Sequence, residues 1–203
     1  MGRREKQVRY RFSFAVLGEG ITEQWYLTHL KNLNGYNYSL RPKLFQDIGI
    51  EKAEGIIDEL VSGGCDSIVF LTDYDTIVAQ DKKDTFNKLI AKYKNNDTIL
   101  ICNSMPSIEY WFLLHFIHTT REFANCDQVI RDLKKYIKNY SKSTTYLKTD
   151  RWFNILMKKG GLEKAKANAK NGLEKYEAGD IGKHFPFTKM HLAIEEFEKQ
   201  KNK

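Results

Sequence analysis

The sequence predicts an α/β fold: a parallel sheet with helices on both faces, carrying a helical C-terminal insertion. Three observations predict it. Short, almost continuously apolar runs recur at residues 13–17, 67–71 and 98–102, each of a length that suits a strand covered on both faces. Between these runs lie longer segments with apolar residues at helical spacing, so strand and helix alternate as parallel pairing requires. After Pro106 the alternation stops, and residues 120–180 are Lys-rich, helical in period and without a defensible strand.

The elements follow in order. Ser13 to Leu17 reads as the first strand, bounded by Gly18. Thr22 is the expected N-cap of a helix on which Trp25, Tyr26, Leu30 and Leu33 recur. Residues 38–45 form the expected second strand, with Pro42 placing it at an edge or a bulge. Ile50 to Val61 is a helix with Ala53, Ile56, Ile57, Leu60 and Val61 on one face, closed by Gly63-Gly64. "SIVFL", residues 67–71, is the clearest strand and stops at "TDYD". A polar helix from Lys82 to Tyr93 presents Phe86, Leu89, Ile90 and Tyr93 on one side. Asn95-Asn96-Asp97 is a turn before the strand "TILIC" at 98–102. "SIEYWFLLHFI" is a very apolar helix, and Thr188 to Lys199 is a last helix bearing Met190, Leu192, Ala193, Ile194 and Phe197. The organisation expected is an α/β core over 1–118, a Lys-rich helical insertion over 119–184, and a C-terminal helix over 185–203 that packs back on the core.

Composition bounds the function. The 203 residues are 41% apolar and 29% charged, which excludes wholesale disorder and suits one ordinary domain with an insertion. A net charge of +7 and a pI near 9.1 favour a polyanionic partner such as nucleic acid, DNA and RNA being equally open. Cys65, Cys102 and Cys126 are widely spaced with no CxxC pair, so zinc and a disulfide framework have no support. Cys65 and Cys102 read as core or near-core thiols, and a reducing cytoplasm is the expected location. The opening "MGRREKQVRYRF" is basic but leads into an apolar run too short for a secretory signal. No stretch approaches the ~20 apolar residues of a membrane span.

The chemistry lies at the strand ends. Glu19, between Gly18 and Gly20, follows the first strand, and Asp73 and Asp75 follow the third. In an open parallel sheet the loops at the carboxyl ends of the strands line the functional crevice. Carboxylates gathered there repel one another, and a divalent cation with a preference for hard oxygen ligands, such as Mg²⁺, resolves the conflict. If the chain stays extended through Asp73-Tyr74-Asp75, the two aspartates point the same way and can share that ion. Gly18 and Gly20 would let the backbone turn sharply and leave room for a phosphate. Either motif by itself is better read as an exposed turn; their joint placement after two buried strands raises a metal site to an even reading.

The segments "VLGEGITEQWYLTHL" (16–30), "IVFLTDYDT" (68–76), "NSMPSIEYWFLLHF" (103–116) and "FPFTKMHLAIEEF" (185–197) carry a resemblance. The first two resemble the TOPRIM fold of topoisomerases, primases and the overcoming-lysogenization-defect nucleases. With the third, the chain more narrowly resembles the RloB-like family of bacterial defence-associated proteins. The resemblance implies a TOPRIM/Rossmann-like sheet, the TOPRIM glutamate at Glu19 and the paired aspartates at Asp73 and Asp75. These three would hold Mg²⁺, with Mn²⁺ as an alternative. Glu23 falls where related nucleases often carry a second important acid. A third acid of the D-x-D-x-D series is missing, since Ile77 stands in its place. The implied activity is Mg²⁺-dependent cleavage of nucleic-acid phosphodiester bonds by an endonuclease of antiphage, abortive-infection defence, working with an ATPase partner. Glu19 would ligate the metal or act as general base. Two rival readings stay open: a non-catalytic TOPRIM-scaffold module that binds nucleic acid or a partner, and a nucleotide-processing phosphotransfer enzyme.

Other residues carry two readings each. Glu109, within the most apolar segment, is either a capping or ion-paired acid in the first turn of a helix N-capped by Ser107, or a further acid of the catalytic site. His115 lies about 240° from Glu109 on an ideal helix, so it is expected to pack internally. His191 is expected at the surface, and Trp25, Trp111 and Trp152 in the core. "RDLKKYIKNYSK" (131–142) and "MKKG" (157–160) interleave or gather basic and aromatic residues. They suit a phosphate- and base-gripping face, or a solvated helix face with its tyrosines turned inward. A lysine from this insertion could assist the chemistry, and the sequence singles out none.

Overall fold

The computed structural model describes residues 12–43, 49–179 and 185–201. The basic stretch before Phe12, residues 44 and 45 of the expected second strand, and residues 180–184 at the end of the expected insertion lie outside the described residues. The apolar runs form the strands β1 (Phe14–Leu17), β3 (Ser67–Asp73) and β4 (Ile99–Met105), joined by β2 (Ser39–Arg41) and β5 (Phe187–Thr188). The helices are α1 (Ile21–Asn34), α2 (Ile50–Ser62), α3 (Tyr74–Ala79), α4 (Lys83–Tyr93) and α5 (Ile108–Leu114), then α6 (Cys126–Leu133), α7 (Thr144–Leu147), α8 (Arg151–Met157), α9 (Gly161–Glu177) and α10 (Met190–Gln200).

The five strands form one sheet in the order β2-β1-β3-β4-β5. The first three pairings are parallel, with Leu17 opposite Phe70 and Phe70 opposite Ile101. The carboxyl ends of β1, β3 and β4 therefore share one edge of the sheet. β2 is an edge strand, as Pro42 just beyond it requires. β5 is antiparallel to β4, Thr188 facing Ser104. The sequence expectation put Thr188 in the last helix; it is a strand residue, because the two-residue β5 is set by pairing across a long chain separation rather than by a local pattern.

Successive strand side chains alternate between faces, and both faces are covered. On one, Leu17, Ile68 and Phe70 pack with Ile50, Ala53 and Ile57 of α2, Ile77 of α3 and Phe86, Leu89 and Tyr93 of α4. On the other, Phe14, Val16, Val69 and Leu71 pack with α1, α5 and α10. The Lys-rich insertion sends Val129, Leu133, Ile137, Tyr140, Trp152, Phe153, Leu156, Ala165 and Ala169 into that same core. Gly63 caps α2 and Gly64 takes a φ of +73°, the left-handed conformation that favours glycine. Among the described residues no helix is long and apolar enough to cross a membrane.

Three local readings are corrected. Gly20, not Thr22, is the N-cap of α1, and Thr22 is buried inside the first turn. The chain does not stay extended through Asp73-Tyr74-Asp75: β3 ends at Asp73 and α3 starts at Tyr74, so Asp75 lies in a helical first turn. His191 is buried, not surface-exposed, because α10 follows β5 straight back onto the sheet and its first turn packs against it. Trp111 and Trp152 are fully buried as expected, whereas Trp25 is partly exposed with Lys148 Nζ 5.8 Å from its ring centre. His115 packs internally as expected, its Nδ1 3.0 Å from the Trp111 carbonyl and its pKa pushed down to about 4 by burial.

Candidate active site

Glu19 follows β1 by two residues, and parallel pairing with β3 sets it beside Thr72, whose hydroxyl donates to Glu19 Oε1 at 2.8 Å. Asp73 ends β3, and its Oδ1 accepts the backbone N–H of Ile108 at 2.8 Å. That bond caps the start of α5, which the Ser107 side chain does not cap. Glu23 stands one turn into α1 and is buried. A Cβ on Gly20 would lie 2.6 Å from Glu23 Oε2, closer than real Cβ contacts come. The second glycine of Gly-Glu-Gly therefore makes room for the Glu23 carboxylate. It is not needed for a turn, since Gly20 has an extended φ of −120° and ψ of 164° that any residue adopts.

These acids line one cavity of 490 Å³ together with Ile21, Thr22, Gly49, Ile50, Thr76, Ile77, Gln80, Lys82 and Lys142. Asp75 does not line it but acts on it by charge: Asp73 and Glu23 both feel its carboxylate. The backbone N–H of Asp75 donates to the Pro106 carbonyl at 3.1 Å, which ties α3 to the turn before α5.

The electrostatics divide the acids into two kinds. Desolvation lifts the Glu19 pKa from 4.5 to about 7, helped by the charge of Glu23 and opposed by Thr72, the Asp73 backbone and Lys82. Desolvation likewise lifts Glu23 to about 7, with the charges of Glu109 and Asp75 adding to it. Asp73 is raised well above its usual value by desolvation and then by Glu23, Glu109 and Asp75, and Asp75 is raised chiefly by desolvation. Glu109 is the exception. Burial alone would raise it, but Lys142 and hydrogen bonds from Ser107 and Cys126 hold it below the ordinary carboxylate range.

Glu109 is 0% exposed and saturated with partners. Its Oε1 takes Lys142 Nζ at 2.9 Å and the Tyr140 hydroxyl at 3.1 Å, and its Oε2 takes the Ser107 hydroxyl at 2.7 Å and the Cys126 thiol at 3.2 Å. The Lys142 side chain is 46% exposed and reaches the cavity from the insertion. It is the lysine that the sequence does not single out. Its significance lies in a contact with a residue 33 positions earlier, and the one local signal is the Tyr140 two residues before it, an aromatic turned inward amid a basic run. Tyr136 in the same run is 40% exposed and stacks on Phe116 at 4.7 Å between ring centres.

Among the described residues no three His, Cys, Asp or Glu side chains stand ready to enclose a metal ion, so Glu19, Asp73 and Asp75 are not a closed triad. The donor set suits a cation that needs less enclosure. Asp73 accepts the Ile108 N–H through Oδ1, and Glu19 accepts the Thr72 hydroxyl and the Asp73 backbone N–H, so each carboxylate retains lone pairs for a ligand. Mg²⁺ is typically held by one or two carboxylates, keeping waters and taking substrate oxygens. Desolvated, mutually repelling acids are those whose charge such an ion stabilises.

Fold and site together define an α/β protein with an acidic crevice at the carboxyl edge of a mainly parallel sheet. Within that class the chain belongs to the RloB-like protein family, whose pattern it matches over residues 14–197. No curated protein and no solved structure gives a significant match to it.

Proposed function

We propose that the chain is a Mg²⁺-dependent nuclease that hydrolyses phosphodiester bonds of nucleic acid. The observation that supports it is the row of desolvated acids Glu19, Glu23 and Asp73 on a cavity that also receives Lys142. Glu19 and Asp73 would hold the ion through their remaining lone pairs, with Asp75 adding negative charge nearby. Mg²⁺, or Mn²⁺ in its stead, would supply neutralisation of charge at the phosphoryl oxygens and a more acidic bound water. Glu23, buried on the same cavity and resisting ionisation through desolvation, is the acid that would accept the proton of the attacking water. Lys142 balances the buried charge of Glu109 and presents its ammonium where a phosphate enters. The net charge of +7 suits a polyanionic substrate. Membership of the RloB-like family supports a setting in cytoplasmic antiphage defence beside an ATPase partner.

The test is incubation of the pure protein with DNA, total RNA and free nucleotides, with and without Mg²⁺ or Mn²⁺, beside Asp73→Asn. Metal-dependent strand cleavage that Asp73→Asn loses is the expected result. Turnover of free nucleotides alone would replace the nuclease with a phosphotransfer enzyme. Binding of nucleic acid with no cleavage at all would make the chain a binding module.

A further inference from the structure

Part of the cavity lining takes no part in the chemistry above. Besides the acids, the cavity is lined by Thr76 of α3, by Gln80 at its C-cap, by Lys82 and by Gly49 at the start of α2. The polar side chains here can all donate hydrogen bonds, in contrast to the acids at the strand ends. Lys82 Nζ lies 2.9 Å from Glu51 Oε2, and the Glu51 side chain is 61% exposed. An ion pair this open to water holds its lysine weakly. The Lys82 charge also reaches Glu19, whose proton affinity it lowers. A Cβ on Gly49 would stand 3.3 Å from Glu51 Oε2 and 3.4 Å from Lys82 Nζ, so the glycine leaves both charged ends uncrowded beside the cavity.

Building on the nuclease reading, we infer that Lys82, with Thr76 and Gln80, is a phosphate subsite next to the acidic centre. It binds a substrate phosphate neighbouring the one attacked. On binding, Lys82 exchanges the exposed carboxylate of Glu51 for that phosphate. Lys82 is thus a positioning residue, and Glu51 its competitor.

The phosphate could belong to a nucleic-acid backbone or to a free nucleotide, and the experiment separates them. Asp73→Asn protein, which cannot cut, is titrated in Mg²⁺ with a labelled single-stranded decanucleotide and separately with a nucleoside triphosphate, over a range of salt. Lys82→Ala in that background should weaken binding about ten-fold. It should also reduce the salt slope for the oligonucleotide by about 0.7, one phosphate contact. Glu51→Gln keeps Lys82 in place, so it should tighten binding, which a merely structural lysine would not produce. A loss confined to the triphosphate assigns the subsite to a nucleotide's phosphate, and a loss with the decanucleotide assigns it to the backbone. Unchanged affinity for both ligands in Lys82→Ala and in Glu51→Gln would overturn the subsite and leave the nuclease reading intact. Failure of the parent protein to bind either ligand would overturn both.

Discussion

Glu19→Gln isolates the cost of keeping a carboxylate at the crevice. The amide keeps the length of the side chain and can still accept from the Thr72 hydroxyl, so the fold has no reason to change. What is removed is a charge that the protein resists: the pKa rises from 4.5 to about 7 on folding, mainly through desolvation. A carboxylate whose folded pKa is raised favours the folded state while protonated and loses that advantage as pH climbs through the folded value. A rise of that size corresponds to an upper limit of about 3 kcal/mol at high pH. Glu19 keeps part of its surface exposed, and solvent screening brings the expectation to about 1–2 kcal/mol. For a chain of this size that is a rise in Tm of about 2–8 °C. The assay is thermal melting of wild type and Glu19→Gln from pH 4 to pH 9 without divalent cations. The curves should coincide below pH 4.5 and separate between there and pH 8, with the variant the more stable. Mg²⁺ should then narrow the gap by stabilising wild type, and the variant should lose metal-dependent cleavage. A variant that melts below wild type at pH 8.5 would refute the reasoning, since Glu19 would then be a stabilising partner.

Two further substitutions probe the same crevice. Gly20→Ala places a methyl group 2.6 Å from Glu23 Oε2, so the Glu23 carboxyl must swing away. Because the tip of a flexible side chain yields, stability in chemical denaturation should change by less than about 1 kcal/mol, while metal-dependent activity should be lost. Lys142→Met leaves Glu109 buried without its cation; breaking such a pair typically costs about 3–5 kcal/mol, and the half-exposed lysine lowers the expectation to about 1–3 kcal/mol. Denaturation midpoints should show that loss at pH 8 and a smaller one at pH 5, where Glu109 can take up a proton in place of the ion pair.

Much of this crevice was legible in the sequence, for reasons that can be named. β1 and β3 are short apolar runs, and a parallel register between such runs puts Glu19 and Asp73 on one edge whatever the helices do. Pro42 pointed to an edge or a bulge at β2, which lies at the sheet edge, and Gly63-Gly64 to the end of α2. The misses share a different physical origin. The turn from β3 into α3 depends on a bond from the Asp75 backbone to Pro106, a contact no periodicity encodes. The purpose of Gly20 is a clearance to a side chain one helical turn away, visible only once α1 is built. An ion pair for Glu109 was open in the sequence, but its cation could not be named, because Lys142 is delivered by tertiary packing of the insertion.

The shared core of the insertion and the sheet layer has a consequence for how such a chain can change over generations. Exposed lysines of the insertion that hold only a surface ion pair, such as Lys135 with Asp132, can be traded at little cost. The inward positions cannot: Tyr140 is wedged among Phe112, Trp152 and Tyr146 while its hydroxyl sits on Glu109, two residues from Lys142. Exchanging the segment wholesale, as a cassette from another gene, would uncover the aromatic core that α1 and α5 share with the insertion and strand the Glu109 carboxylate in the same stroke. The insertion is therefore inherited together with the crevice, and only its outer surface is free to drift.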